Sequence, residues 1–258
     1  MTLVQIAKAG VVGAAVGTLL FVAMHRGPMK VHADDRGKDQ GQGQGQDNDQ
    51  MLSSIGLSIA PDFIKLNGKD PTLVGLGSFI VNAQADCNGC HGSDPANEFL
   101  PTNNPFLLPP NNGRAKFNQA TYLNGGQNFG PVGLGIVKDT TSPLFAGPGL
   151  GPNIITRNLT PDHTGNPEGG NDLGTFMTIM RTGHDYDKLH QNCGGSVTDN
   201  CYNAPVNGAL LQVMPWPKFR NMTDYQLTAI WTYLSAVPCN AHNDAAGMMF
   251  PWLQNVCN

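Results

Sequence analysis

Charged side chains are scarce in this chain. Asp, Glu, Lys and Arg make up 13% of its 258 residues, about half the share of an ordinary soluble domain. No Lys/Arg cluster is present and the formal net charge is −4, so the basic surface that nucleic acid requires is missing. Alternating apolar–polar runs are also missing, so no strand series is expected. No segment repeats. Glycine (32) and proline (19) are plentiful, which implies long irregular loops. The 40% of hydrophobic residues is enough for a core, though a modest one.

Six cysteines suit an oxidising compartment. Two of them, Cys87 and Cys90, share one tight motif; the others fall as the near pairs 193/201 and 239/257. The N-terminus agrees with export. Lys8 precedes an apolar run from Ala9 to Met24, and Val31-His32-Ala33 resembles a small-residue cleavage site. Residues 1–33 are therefore expected to be a signal peptide or, if uncleaved, an N-terminal anchor that tethers the protein to a membrane. The run is short for a full span, and Gly10, Gly13 and Gly17 weaken it. Either way the remainder is expected outside the cytoplasm, in the periplasm or beyond it. Residues 34–50 hold no large apolar side chain and read as a disordered, solvated linker. One domain is expected over 51–258.

Three helices are legible. The first is expected from Pro71 to Cys87, with Asp70 as its cap and Leu73, Leu76, Ile80 and Val81 at helical spacing. Gly75 and Gly77 are poor helix formers there, and the close approach of another helix would justify them. The second is expected over Leu173–Thr182, stopped by Gly183. The third starts at Thr223, with Gln226 completing a capping box and Met222 and Leu227 placed as a hydrophobic staple. Leu227, Ile230, Trp231 and Leu234 continue it until Pro238. The fold class expected is mostly α, with a long Pro- and Gly-rich loop over 92–150.

Cys87-Asn88-Gly89-Cys90-His91 is a C-x-x-C-H motif, the signature of covalent haem attachment. Two thiols at this spacing on a helix end reach both vinyl groups of one porphyrin, and the adjacent imidazole falls beneath the iron. The expected cofactor is thus one covalent haem c, bound through Cys87 and Cys90, with His91 as an iron ligand. A thioredoxin-type redox pair would need a βαβ context, which is not seen. Half of a zinc site would need a second close cysteine pair, and 193/201 and 239/257 are too widely spaced.

A second axial ligand must come from elsewhere. Met177, Met180, Met214, Met222, Met248 and Met249 lie downstream. Met180 shares an apolar helix face and Met222 serves the staple. Met214 stands in Val213-Met214-Pro215-Trp216-Pro217, where two prolines stiffen the loop that would hold a weak thioether. It is the favoured ligand. The competing reading is that Met214 merely fills the core, or that His163, His184, His190 or His242 ligates instead.

Leu76-Gly77-Ser78-Phe79-Ile80 leading into the C-x-x-C-H resembles the first helix of class I cytochromes c. Four stretches resemble, in order, the cytochrome c subunits of bacterial alcohol and aldehyde dehydrogenases: Tyr122-Leu123-Asn124-Gly125-Gly126, Arg157-Asn158-Leu159-Thr160-Pro161-Asp162, Met180-Arg181-Thr182-Gly183, and Met214-Pro215-Trp216-Pro217 with the helix after it. The resemblance implies a class I cytochrome c fold whose first and last helices cross near Gly77, Phe79 and Tyr233. It supports Met214 as distal ligand. It implies that Pro152, in Gly151-Pro152-Asn153-Ile154, steadies the proximal histidine through its carbonyl region. It also makes Arg157, Asn158, Arg181 and Trp216 candidate donors to the haem propionates. Those subunits usually carry three haem domains and this chain has one motif; residues 185–211 and the tail after Pro238 are additional.

The four remaining cysteines are expected to pair locally, as Cys193–Cys201 and Cys239–Cys257. The expected function is single-electron transfer with His/Met ligation, and not enzymatic catalysis. Donors would be a dehydrogenase or quinol-oxidising complex, and acceptors an oxidase or reductase. The alternative is a subunit fixed in a membrane-associated dehydrogenase. A haem peroxidase would need an open iron, and commonly a second haem.

Overall fold

The computed structural model describes residues 38–107, 114–131, 153–184, 210–211, 213–241 and 255–258. The expected leader 1–33, Pro152 and the Cys193/Cys201 pair lie outside them. The described chain is mostly helical. Its elements are α1 (Lys38–Ile59), α2 (Pro71–Phe79), α3 (Cys87–His91), β1 (Asn128–Pro131), β2 (Asn153–Ile155), the single turn α4 (Pro167–Gly170), α5 (Leu173–Thr182), the single turn α6 (Trp216–Phe219) and α7 (Asp224–Leu234). Strands β1 and β2 form one short antiparallel ribbon, with Asn128 opposite Ile155 and Pro131 opposite Asn153. Two short residue runs with no alternation cannot be read as strands from sequence.

Helix α1 corrects the expected linker, since it begins at Lys38 and so covers most of 34–50. Its anchored part is the C-terminal half, where Ser53 and Gly56 are buried on α2. Ser53 Oγ donates to the Thr72 carbonyl at 2.9 Å, and Ser78 Oγ donates to the Gly56 carbonyl at 2.8 Å. Once those turns are fixed, adding residues at the N-terminal end needs no new nucleus. Asp47, Asn48 and Gln50 still face solvent, as their polarity demands.

Helix α2 is capped as expected, with the Asp70 carboxylate accepting from Thr72 N at 2.8 Å. It does not run unbroken to Cys87. A π turn occupies Ile80–Gln84, with Ala85 N bonded to the Ile80 carbonyl at 2.8 Å. Asp86 then takes a left-handed conformation at φ +47°. The widened turn brings Asn82 onto two buried tyrosines, the arrangement that justifies a π bulge here.

The two glycines of α2 serve different neighbours. A Cβ on Gly75 would overlap Ser53 of α1, and a Cβ on Gly77 would overlap the Ala229 carbonyl and Tyr233 of α7. Helix α2 is therefore held between α1 and α7. The crossing with α7 lies at Gly77 and Tyr233 as expected, whereas the backbone of Phe79 approaches Gly56 of α1. Val74 and Leu76 of α2 share one core cluster with Ile80, Val81, Tyr122, Leu123, Leu159, Phe176, Met180, Leu227, Ile230 and Leu234. Helix α5 has the expected bounds and its Gly183 stop at φ +70°. Helix α7 carries the complete capping box between Thr223 and Gln226.

Candidate functional site

Cys87, Cys90 and His91 lie on one short helix, α3, whose start is set by Asp86. The Asp86 carboxylate accepts from Gly89 N at 3.2 Å. Asn88, between the cysteines, is buried at 4% exposure and ties the motif to the rest of the chain. Its Oδ1 accepts from Leu123 N at 2.8 Å, and its Nδ2 donates to Glu98 at 3.0 Å. Gly125 N donates to the His91 carbonyl at 2.7 Å. Gln127, with its amide nitrogen turned toward them, reaches the Gly89 and Cys90 carbonyls at 3.0 and 3.1 Å.

The imidazole is fixed from the other side. His91 Nδ1 lies 2.9 Å from the Arg157 carbonyl, so that nitrogen carries the proton and donates. Nε2 makes no hydrogen bond among the described residues. The approach depends on Gly125, at φ +69°, where a Cβ would collide with the Arg157 carbonyl and the Asn158 N. Burial holds the imidazole's pKa down to about 4; the bond to Arg157 raises it, and the Arg157 charge lowers it further. The ring is thus neutral at ordinary pH, the form that ligates a metal.

Cys87 is half-buried and Cys90 exposed, and neither is in a disulfide. Burial, then Asp86 and Cys90, push the Cys87 thiol up to about 12. Cys90 is also raised, by burial and by Asp86. A thiol–disulfide catalyst needs a thiol shifted the other way. Among the described residues there is no parallel sheet, and no cluster of three or more His, Cys, Asp or Glu that could hold a metal ion.

Beneath the motif lies a polar core that sequence reasoning missed. The Tyr122 hydroxyl donates to Asn82 Oδ1 at 2.5 Å and lies 2.6 Å from the Tyr233 hydroxyl. Asn82 Nδ2 donates to the Tyr233 and Ser78 hydroxyls, at 3.1 Å in both cases. Burial raises the pKa of both phenols, Tyr233 to about 12, and the Cys87 thiol adds to each. Asn82 and Tyr233 are 151 positions apart, so no local pattern announces the network.

The other expected site residues are placed as follows. Arg157 meets the site through its backbone carbonyl, the role expected of Pro152. Asn158 is 1% exposed; its Oδ1 accepts from Thr160 N and Oγ1, and its Nδ2 donates to the Asn240 carbonyl at 2.9 Å. It is a bracket within the fold. Arg181 bonds the Arg220 and Met222 carbonyls and the Asp224 carboxylate, joining α5 to the start of α7. Trp216 lies over Gly183, and its Nε1 donates to the Leu211 carbonyl at 3.2 Å. In the structure Arg181 thus engages two backbone carbonyls and one carboxylate, and the Trp216 indole one backbone carbonyl. Met214 is half-buried against the core cluster, and its carbonyl accepts from Trp216 N at 2.8 Å. Met180 is a core residue at 4% exposure. Cys239 and Cys257 form the expected disulfide.

Comparison of the chain with protein-family models, with curated proteins and with solved structures finds no match in any of the three.

Proposed function

We propose that this chain is a single-haem c-type cytochrome of class I fold, an exported electron carrier that transforms no substrate. The observation that carries the reading is the His91 imidazole: neutral, fixed at Nδ1 by a backbone carbonyl, and next in sequence to two free thiols. That donor set fits a covalent porphyrin. Cys87 and Cys90 would form the two thioethers, and His91 Nε2 would bind the iron. The haem supplies a ferric/ferrous couple, one electron at a time.

The chain's own residues account for the rest. The Arg157 carbonyl fixes the tautomer and orientation of the ligand ring. Asn88 and Gly125 hold α3 against the 122–126 turn, so both thiols and the imidazole keep one geometry. Met214, between the core and the proline-stiffened turn α6, is the ligand proposed for the opposite face. A thioether there would close the iron to small molecules and raise its potential. The α2–α7 crossing at Gly77 and Tyr233 supports the class I fold. The Cys239–Cys257 disulfide agrees with an oxidising compartment.

The test is extraction of the purified protein with acid and organic solvent, followed by redox-resolved absorption spectra of wild type and Met214→Ala. Colour that stays with the polypeptide, and a methionine-to-iron charge-transfer band lost in the variant, are the expected results. Extracted colour overturns the attachment, and a surviving band overturns the ligand.

A further inference from the structure

The segment that bears the Arg157 carbonyl is held by the C-terminal tail. Thr160, 1% exposed, is gripped from two sides. On one side Asn240 N donates to Thr160 Oγ1 at 3.1 Å, and the Asn240 carbonyl receives Asn158 Nδ2 at 2.9 Å. On the other, Asn255 Nδ2 donates to the Thr160 carbonyl at 2.6 Å, to its Oγ1 at 2.8 Å and to the Pro161 carbonyl at 3.3 Å. His163 N donates to the Val256 carbonyl at 2.6 Å. Asn240 follows Cys239, and Asn255 and Val256 precede Cys257. The disulfide between those cysteines therefore joins the two arms that hold residues 158–163.

We infer that the Cys239–Cys257 disulfide, with Asn240 and Asn255, is a positioning clamp for the proximal imidazole and tunes the reduction potential of the site. The inference rests on the haem reading above. The path is short: disulfide, Asn255 and Asn240, Thr160 and Asn158, then the Arg157 carbonyl and His91 Nδ1. Leu159 N, bonded to the Leu123 carbonyl at 2.8 Å, fixes the same segment against the turn that holds α3. A carbonyl held firmly against Nδ1 makes the imidazole a stronger donor, which favours the oxidised metal. Loosening the clamp weakens that bond and favours the reduced metal. The tail also touches the chain just before the 122–126 turn, where Asn240 Nδ2 donates to the Ala120 carbonyl at 3.4 Å. The 157–160 segment is the route that ends on the imidazole ring itself, at His91 Nδ1.

The experiment uses the full-length, haem-loaded protein in three variants: Cys239→Ser with Cys257→Ser, Asn255→Ala, and Thr223→Ala. The last removes the cap at the end of α7 away from Cys239 and serves as a destabilised control. Midpoint potential is measured for each beside wild type, and the iron–imidazole stretching frequency is measured for each on the ferrous protein with Met214→Ala added, which would open the second ligand position. The expected result is a raised potential and a lowered stretching frequency in both clamp variants, with Thr223→Ala unchanged in both readouts though less stable. Clamp variants that match wild type, or a Thr223→Ala shift equal to theirs, overturn the inference. If acid and organic solvent strip the colour from wild type, the haem reading falls and this inference with it. Colour that stays while the potential does not move overturns the clamp alone.

Discussion

Replacing Gly77 with alanine tests the central packing claim. On helix propensity alone the change should stabilise α2 by about 1 kcal/mol. The structure reverses the sign. An added Cβ overlaps the Ala229 carbonyl and falls 2.5 Å from Tyr233 Cβ, and backbone and Cβ atoms cannot swing aside as a side-chain tip can. Helices α2 and α7 must separate, and overpacking of this kind costs about 1–3 kcal/mol. Taking the upper end because the obstruction is rigid, the net loss is about 2 kcal/mol, or roughly 4–8 °C in Tm for a chain of this size. Gly174→Ala is the matched comparison. Its Cβ would meet only the Asp172 carboxylate at 3.5 Å, an ordinary contact, so the propensity gain should survive. The assay is urea unfolding followed by far-ultraviolet circular dichroism, comparing midpoints at equal m. A Gly77→Ala midpoint at or above that of wild type would refute the claim that contact with α7 demands glycine there.

Two further outcomes follow from the site. Tyr122→Phe strips Asn82 and the fully buried Tyr233 of a hydrogen-bond partner, so it should cost about 1–3 kcal/mol in the same urea assay; no loss would mean the network is not closed as described. In the haem-free polypeptide, His91 stays neutral down to about pH 4 when folded, while the unfolded chain takes up the proton near 6.5. Its contribution is therefore fully present above about pH 6.5 and is lost as pH falls toward 4, at no more than about 1.4 kcal/mol per pH unit, an upper bound for a half-buried ring. Unfolding midpoints of wild type and His91→Phe from pH 7 to 4 measure this, and equal pH slopes would contradict it.

Local chemistry wrote much of the chain in advance. The C-x-x-C-H motif, the Asp70–Pro71 start of α2, the Gly183 stop of α5 and the capping box at Thr223 depend on neighbours within a few residues. Those interactions are the same in any fold. The Cys239–Cys257 pair was likewise readable from spacing. Helix α1 was not, because glycine and glutamine dominate its first half and its closest contacts with α2 are made by Ser53 and Gly56. Small residues carry no hydrophobic period, yet they let helices meet. The π turn was hidden for a related reason: its cause is Asn82 reaching Tyr122 and Tyr233, which are distant in sequence.

At the site the division is the same. Sequence named Cys87, Cys90 and His91, since their chemistry lies in the spacing itself. Only the tertiary structure decided that the Arg157 carbonyl holds the imidazole, because a backbone acceptor has no residue-type signature and its position depends on the whole path of the chain. The same fact explains Arg181 and Trp216. Their side chains are suited to anionic groups, and the packing of α5 against α6 and α7 gave Arg181 the Asp224 carboxylate and two backbone carbonyls, and Trp216 the Leu211 carbonyl. Residue type determines what a side chain is able to bind; the fold determines which partner comes within 3 Å of it.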